Sequence, residues 1–180
     1  AVPVETKLEV PGLQFEAYSR EHPGSLQEMV HGADVVLVSG DMLEKYPFIQ
    51  AANSRLVADL YDPTVLENLH TYASEPLDNQ QAMNQHGVEL TNLLLRHGDF
   101  FICGNERQRD YWLGCLAANG RVNPLNFKRD PTLRTLIDQV GVGFPDREPK
   151  HDRPVVRAVH PQVPAESRIV LWGGGIWDWL

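Results

Sequence analysis

Short apolar runs alternate with amphipathic stretches over the first two thirds of the chain. Val35 to Val38, Leu56 to Tyr61 and Phe100 to Cys103 are apolar runs, and Asp59 is the one charged residue within them. Continuous apolar runs of this length are typical of strands buried on both faces of a parallel sheet. The pattern therefore predicts three central strands.

A helical pattern follows each run within a few residues. Met42 to Ala52 is amphipathic and is interrupted by Pro47, while Asp62-Pro63-Thr64 is the start signal of a helix. Two further helices are predicted, over Asn79 to Arg96 and over Glu106 to Asn119. Strands that each lead into a helix predict an α/β fold, here a Rossmann-like three-layer sandwich with a mostly parallel sheet.

The pattern changes after Asn119-Gly120. Thr132 to Asp138 has the pattern of a short helix, and the following stretch is rich in glycine and proline, as linkers are. We expect a Rossmann-like domain over residues 1–150, lacking its first strand, and a linker over 151–167. Residues 168–180 then supply either the first strand and glycine loop of a second domain or a strand that completes the first sheet.

Composition excludes several classes of protein. The formal net charge of -8 repels a nucleic-acid backbone, so nucleic acid is not an expected partner. The chain has neither an apolar run of about 18 residues nor a basic-then-apolar leader, which predicts a cytoplasmic protein. Two isolated cysteines are too few for a structural zinc site, and we expect neither a metal nor another cofactor.

Candidate ligand-binding residues follow the predicted strands. In a parallel sheet, ligands bind outside the carboxyl ends of the strands, which selects Ser39, Asp59, Asp62, Asn105 and Glu106. A carboxylate at the position of Asp62 acts as a general base or orients a ligand hydroxyl, or it caps the next helix. Two other candidates also have a structural interpretation. Asp59 is explained by a structural hydrogen bond within the strand region, and Asn105 by a helix cap.

A glycine run ends the recognisable pattern. The segment Arg168 to Trp172, apolar after its first residue, leads directly into Gly173, Gly174 and Gly175. Because glycine has no Cβ, such a loop lets the backbone approach a phosphate or diphosphate closely. The order of glycines does not complete a dinucleotide fingerprint, since Asp178 stands at its third position.

Three segments together resemble a known family. Leu56 to Pro63 with Glu67, Gly98 to Gly114, and Leu171 to Trp179 are similar to bacterial group 1 glycosyltransferases of the GT-B architecture, which has two Rossmann domains. The likeness extends over roughly residues 32–180. It implies transfer of a sugar, of the hexosyltransferase type, from a nucleotide-sugar donor to a hydroxyl of a glycan or lipid-linked acceptor.

The resemblance also implies a division of labour. The first domain would take the acceptor, with Asp62 as the catalytic residue, and Gly173 to Gly175 would contact the donor diphosphate without a required metal. Most of the donor domain would follow Leu180, so we expect this chain alone to be inactive. An incomplete sheet edge would pair with the missing part or with a second copy. The alternative is a non-catalytic α/β binding or assembly module.

Overall fold

The computed structural model describes residues 11–143, 146–150, 153 and 155–175. The chain divides into two compact units, Ala1–Gly141 and Val142–Leu180. Each unit is described by itself below. All described strands lie in the first unit.

Four parallel strands form the sheet of the first unit. They are β1 (Val35–Val38), β2 (Arg55–Asp59), β3 (Phe100–Cys103) and β4 (Ile137–Gln139), and they lie in the order β1-β2-β3-β4. Every neighbouring pair is parallel. The predicted Rossmann-like α/β class with a parallel sheet is therefore confirmed.

Helices connect the strands, as the amphipathic stretches predict. Their bounds are α1 Gly24–Gly32, α2 Met42–Lys45, α3 Thr64–Thr71, α4 Leu77–His97, α5 Glu106–Ala118 and α6 Pro124–Arg129. Pro47 ends α2 and begins a separate 3₁₀ turn, Pro47–Ile49, since proline has no N–H to continue an α-helix. None of the helices in the described ranges is long and apolar enough to cross a membrane.

The two faces of the sheet are covered unequally. One row across all four strands, formed by Val38, Ala58, Phe101 and Ile137, is fully buried together with side chains of α4 and α5. On the other face of the edge strand β1, Val35 is 55% exposed and Leu37 is 60% exposed. The row formed by Val38, Ala58, Phe101 and Ile137 is therefore on the better covered face of the sheet.

The predicted helix over Thr132 to Asp138 is wrong, because its last residues belong to β4. Ile137 pairs with Phe101 of β3. The buried guanidinium of Arg109 on α5 also donates to the carbonyls of Ile137, at 3.0 Å, and of Thr132. These contacts with residues distant in the sequence outweigh the weak local helical pattern.

The second unit contains one described helix, α7 (Val155–Val159). Nη2 of Arg157 donates to the carbonyl of Ser167 at 2.6 Å, which links α7 to the following segment. The predicted strand Arg168 to Trp172 is wrong: these residues form neither helix nor strand, and Val170 is 97% exposed. A strand needs a hydrogen-bonding neighbour, and the described sheet contains no strand from this segment, so it does not complete the first sheet.

Candidate functional site

A pocket of about 630 Å³ lies at the carboxyl ends of β1 and β2. Its volume is in the range of small-molecule sites. It is lined by two strand-end loops, by facing sides of α3 and α4, and by one side chain of α5. The lining residues are Ser39, Gly40, Asp41, Asp59, Leu60, Tyr61, Asp62, Thr64, Asn68, Tyr72, Met83, His86, Gly87, Leu90, Thr91, Leu94 and Trp112.

The turn after β1 forms one side of the pocket mouth. Gly40 has a φ of 59°, in the left-handed region that glycine adopts without strain, so the chain reverses sharply there. The exposed Ser39 lies at this turn and lines the pocket, as predicted. Asp41 also lines it, and its Oδ2 pairs with Nζ of Lys45 at 2.6 Å.

The loop after β2 contributes two more carboxylates. The half-buried Asp59 accepts a hydrogen bond at Oδ1 from the backbone N–H of Tyr61 at 3.0 Å, and this contact confirms its structural alternative. Asp59 nevertheless lines the pocket, as does Asp62. The structure therefore brings together three of the predicted residues, Ser39, Asp59 and Asp62.

Asp62 does not cap α3. The residue at the cap position is Pro63, and no side chain caps the helix. Thr64 instead donates its N–H and its hydroxyl to the main-chain carbonyl of Asp62, at 2.9 and 3.3 Å. The exposed Asp62 carboxylate makes no hydrogen bond or ion pair with any side chain or backbone group in the described residues. It can therefore accept a proton or a hydrogen bond from a ligand hydroxyl.

The sequence pattern did not predict the helical side of the pocket. Thr64 and Asn68 of α3 and Tyr72, the residue directly after α3, line it at a spacing of four residues, which places them on one face. On α4, Gly87 lies close to that face: a Cβ there would be 3.6 Å from Nδ2 of Asn68. This side of the pocket has a sequence signal: polar residues at helical spacing follow directly after Asp62, the acid at the end of β2.

The pocket has a negative electrostatic character. Asp41, Asp59 and Asp62 line it, whereas neither lysine nor arginine is among the described lining residues. Nε2 of His86 lies 3.7 Å from a carboxylate oxygen of Glu44. Partial burial, and then the charge of Asp62, raise the pKa of the Glu67 carboxyl on α3. The contribution of Asp62 to this shift indicates that the carboxylate disfavours further negative charge near α3.

Asn105 and Glu106 do not line this pocket. Oδ1 of Asn105 accepts from the N–H of Gln108 at 3.0 Å, which confirms that Asn105 is the cap of α5. Glu106 forms an ion pair with Arg134 at 2.7 Å. The side chain of Gln108 connects the neighbouring loops, since it donates to the Tyr61 carbonyl at 2.8 Å and accepts from the backbone N–H of Gly104 at 2.6 Å.

The glycines of the second unit are exposed. Nε1 of Trp172 donates to the carbonyl of Gly175 at 3.0 Å, so the indole closes a short loop around Gly173 and Gly174. A Cβ on Gly173 would meet no atom within 4 Å, which leaves its backbone open to a ligand. Residues 176–180 lie outside the described part of the chain. Donor binding by these glycines stays a prediction.

Fold and pocket together define an α/β protein with a pocket of small-molecule size at the carboxyl edge of its parallel sheet. No protein-family model, no curated protein and no solved structure matches the chain. The arrangement of side chains in the pocket is therefore the basis for assigning a function.

Proposed function

We propose that this chain supplies the acceptor site of a GT-B glycosyltransferase, which moves a sugar from a nucleotide-sugar donor to an acceptor hydroxyl. One observation carries the proposal: the Asp62 carboxylate is not used to cap α3 and borders an open pocket at the carboxyl edge of the sheet. The resemblance of Leu56 to Pro63 and of Gly98 to Gly114 to that family supports it. The proposal includes a cytoplasmic location.

Each residue has a definite role in this reaction. Asp62 accepts the proton of the acceptor hydroxyl as that oxygen bonds to the anomeric carbon of the donor, and the nucleoside diphosphate leaves with the electron pair. Ser39 and the second oxygen of Asp59 orient neighbouring hydroxyls. Tyr72 and Leu90 offer apolar surface to the carbon skeleton. Gly173 to Gly175 contact the donor diphosphate.

The test compares two conservative variants. Asp62→Asn removes the carboxylate from the pocket, whereas Asp110→Asn makes the same change on the exposed surface of α5, outside the pocket. The chain is titrated calorimetrically with uridine and guanosine diphosphate hexoses. Transfer of labelled hexose to a panel of monosaccharide and glycolipid acceptors is followed by mass spectrometry.

Binding of a donor or an acceptor by the unaltered chain supports the proposal. Because the chain alone is expected to be inactive, transfer is measured after its fusion to a donor domain of the GT-B architecture. Asp62→Asn should lower the transfer rate by about 10²- to 10⁴-fold, the usual contribution of a general base, and Asp110→Asn should leave it unchanged. Equal transfer rates in the two variants would remove Asp62 from the mechanism. If neither a donor nor an acceptor binds, the proposal is wrong.

A specific observation favours a second candidate, a non-catalytic assembly module. Strand β1 lies at the edge of the described sheet and exposes Val35 and Leu37, and such edges pair with other chains. Under this function, Leu37→Lys would abolish self-association in sedimentation experiments and no nucleotide sugar would bind. Under the glycosyltransferase function, Leu37→Lys would leave acceptor binding intact.

A further inference from the structure

The strongest unexplained property of the pocket is its charge. The described lining residues include three aspartates and one histidine but neither lysine nor arginine. A phosphorylated ligand would add negative charge beside these carboxylates. Like charges repel. The repulsion is stronger in a concave site than on an open surface, because less water is present to screen it.

The three carboxylates differ in what compensates them. Asp41 is paired with Lys45, and Asp59 accepts from the N–H of Tyr61. Asp62 lacks both a countercharge and a donor within the described residues, although it borders the cavity. A donor supplied by a ligand, and above all a cationic one, would satisfy this carboxylate.

The other lining residues indicate what kind of molecule carries the positive charge. Polar groups of Ser39, Asn68 and Tyr72 suit a hydroxylated molecule, whereas Met83 and Leu90 suit its carbon skeleton. Trp112 is almost completely buried and its Nε1 donates to the Leu60 carbonyl at 2.8 Å, so this residue belongs to the core beneath the pocket. The volume of about 630 Å³ suits a compact ligand such as a mono- or disaccharide.

We infer that the acceptor of this pocket is an amino-bearing polyhydroxylated molecule, such as an amino sugar, and that phosphorylated sugars are rejected. The inference rests on the proposed function and specifies its acceptor class. The protonated amine lies against Asp62 in the ground state. A neighbouring hydroxyl of the same ligand is the one that receives the sugar.

Three ligands that differ in one substituent test this inference: methyl glucoside, its 2-amino-2-deoxy analogue and its 6-phosphate. Their affinities are measured by calorimetry or by saturation-transfer NMR competition on the whole chain. We expect the amino compound to bind about fivefold more tightly than the neutral one, the upper range for one exposed ion pair. The phosphate should bind at least about fivefold more weakly, and both differences should shrink at high ionic strength.

Variants assign the effect to its residue. Asp62→Asn should reduce the preference for the amine to about twofold or less, whereas Asp110→Asn should retain it, since Asp110 does not line the pocket. Equal binding of the amino and neutral compounds, tightest binding of the phosphate, or a preference unchanged in Asp62→Asn would each overturn the inference. So would the failure of all three ligands to bind. Donor titration and transfer to neutral acceptors are separate readouts, so the glycosyltransferase proposal survives or fails independently.

Discussion

Gly98, between α4 and β3, is the most closely surrounded of the described glycines. A Cβ built on this buried residue would lie 2.6 and 2.8 Å from two ring carbons of Phe101 and 3.3 Å from the Leu94 carbonyl oxygen. Phe101 is completely buried in the central row of the sheet, and the Arg121 guanidinium lies 5.6 Å from its ring centroid. The ring therefore has little space into which it could move.

The free-energy change for Gly98→Ala combines two opposing effects. Inserting a methyl group into a packed core costs about 1–3 kcal/mol. Alanine restricts the unfolded chain more than glycine does, which returns about 0.4–1 kcal/mol, and the φ of -59° at Gly98 suits alanine. We expect a net loss of about 1–2 kcal/mol, equivalent to a Tm lower by roughly 2–8 °C for a chain of this size.

Gly114→Ala is the matched control. Gly114 lies in the middle of α5, is exposed, and would meet no atom within 4 Å with an added Cβ. Alanine should stabilise the protein there by about 0.5–1 kcal/mol through helix propensity. Urea and thermal unfolding followed by circular dichroism should thus give shifts of opposite sign. Shifts of the same sign, or a Gly98→Ala variant as stable as the wild type, would refute the packing argument.

Two further perturbations test the region around β4. The side chain of Arg109 is 7% exposed and donates to two carbonyls. In urea denaturation, Arg109→Met should therefore lower the free energy of unfolding by about 2–4 kcal/mol. The control Arg107→Met, at an exposed position, should change it by less than about 0.5 kcal/mol. The Thr132 hydroxyl and the Thr135 N–H donate to Asp130 and lower the pKa of its carboxyl to about 2. The ionised Asp130 therefore stabilises the fold above the unfolded-state pKa of about 3.9, and this stabilisation is lost as the pH falls towards 2, so Asp130→Asn should show a flatter loss of stability in that window.

The main strands were predictable because their signal is local. Strands β1 and β3 consist of consecutive apolar residues and β2 has an apolar centre between Arg55 and Asp59, and the pattern alone identifies such strands. The strand β4 has only Ile137 as an apolar residue, and its pairing with β3 depends on a helix donor, Arg109, 28 residues earlier in the chain. Contacts over this separation leave no periodicity in the sequence.

The candidate site divides in the same way. The position of strand ends selects Ser39, Asp59 and Asp62, because the carboxyl edge of a parallel sheet is fixed by topology. Asn105, at the third strand end, does not reach the same pocket because of the local turn. There the side chain of Gln108 bonds to the N–H of Gly104 and to the carbonyl of Tyr61. Asn68 and the other helix residues enter the site only through the packing of α3 on α4, which follows from tertiary structure.

Asp62 shows why one sequence pattern can support two opposite interpretations. An acid before proline is the usual start of a helix, yet capping requires backbone N–H groups of the first turn that are not otherwise bonded. Here Leu66 and Glu67 donate to the carbonyl of Pro63, at 2.8 and 3.2 Å, and Thr64 donates to the main-chain carbonyl of Asp62 itself. A main-chain oxygen thus satisfies the Thr64 N–H, one of the two donors that a capping side chain of Asp62 would need. The same turn that begins α3 consequently leaves the carboxylate beside the pocket, where a ligand hydroxyl or ammonium group is the partner that its position favours.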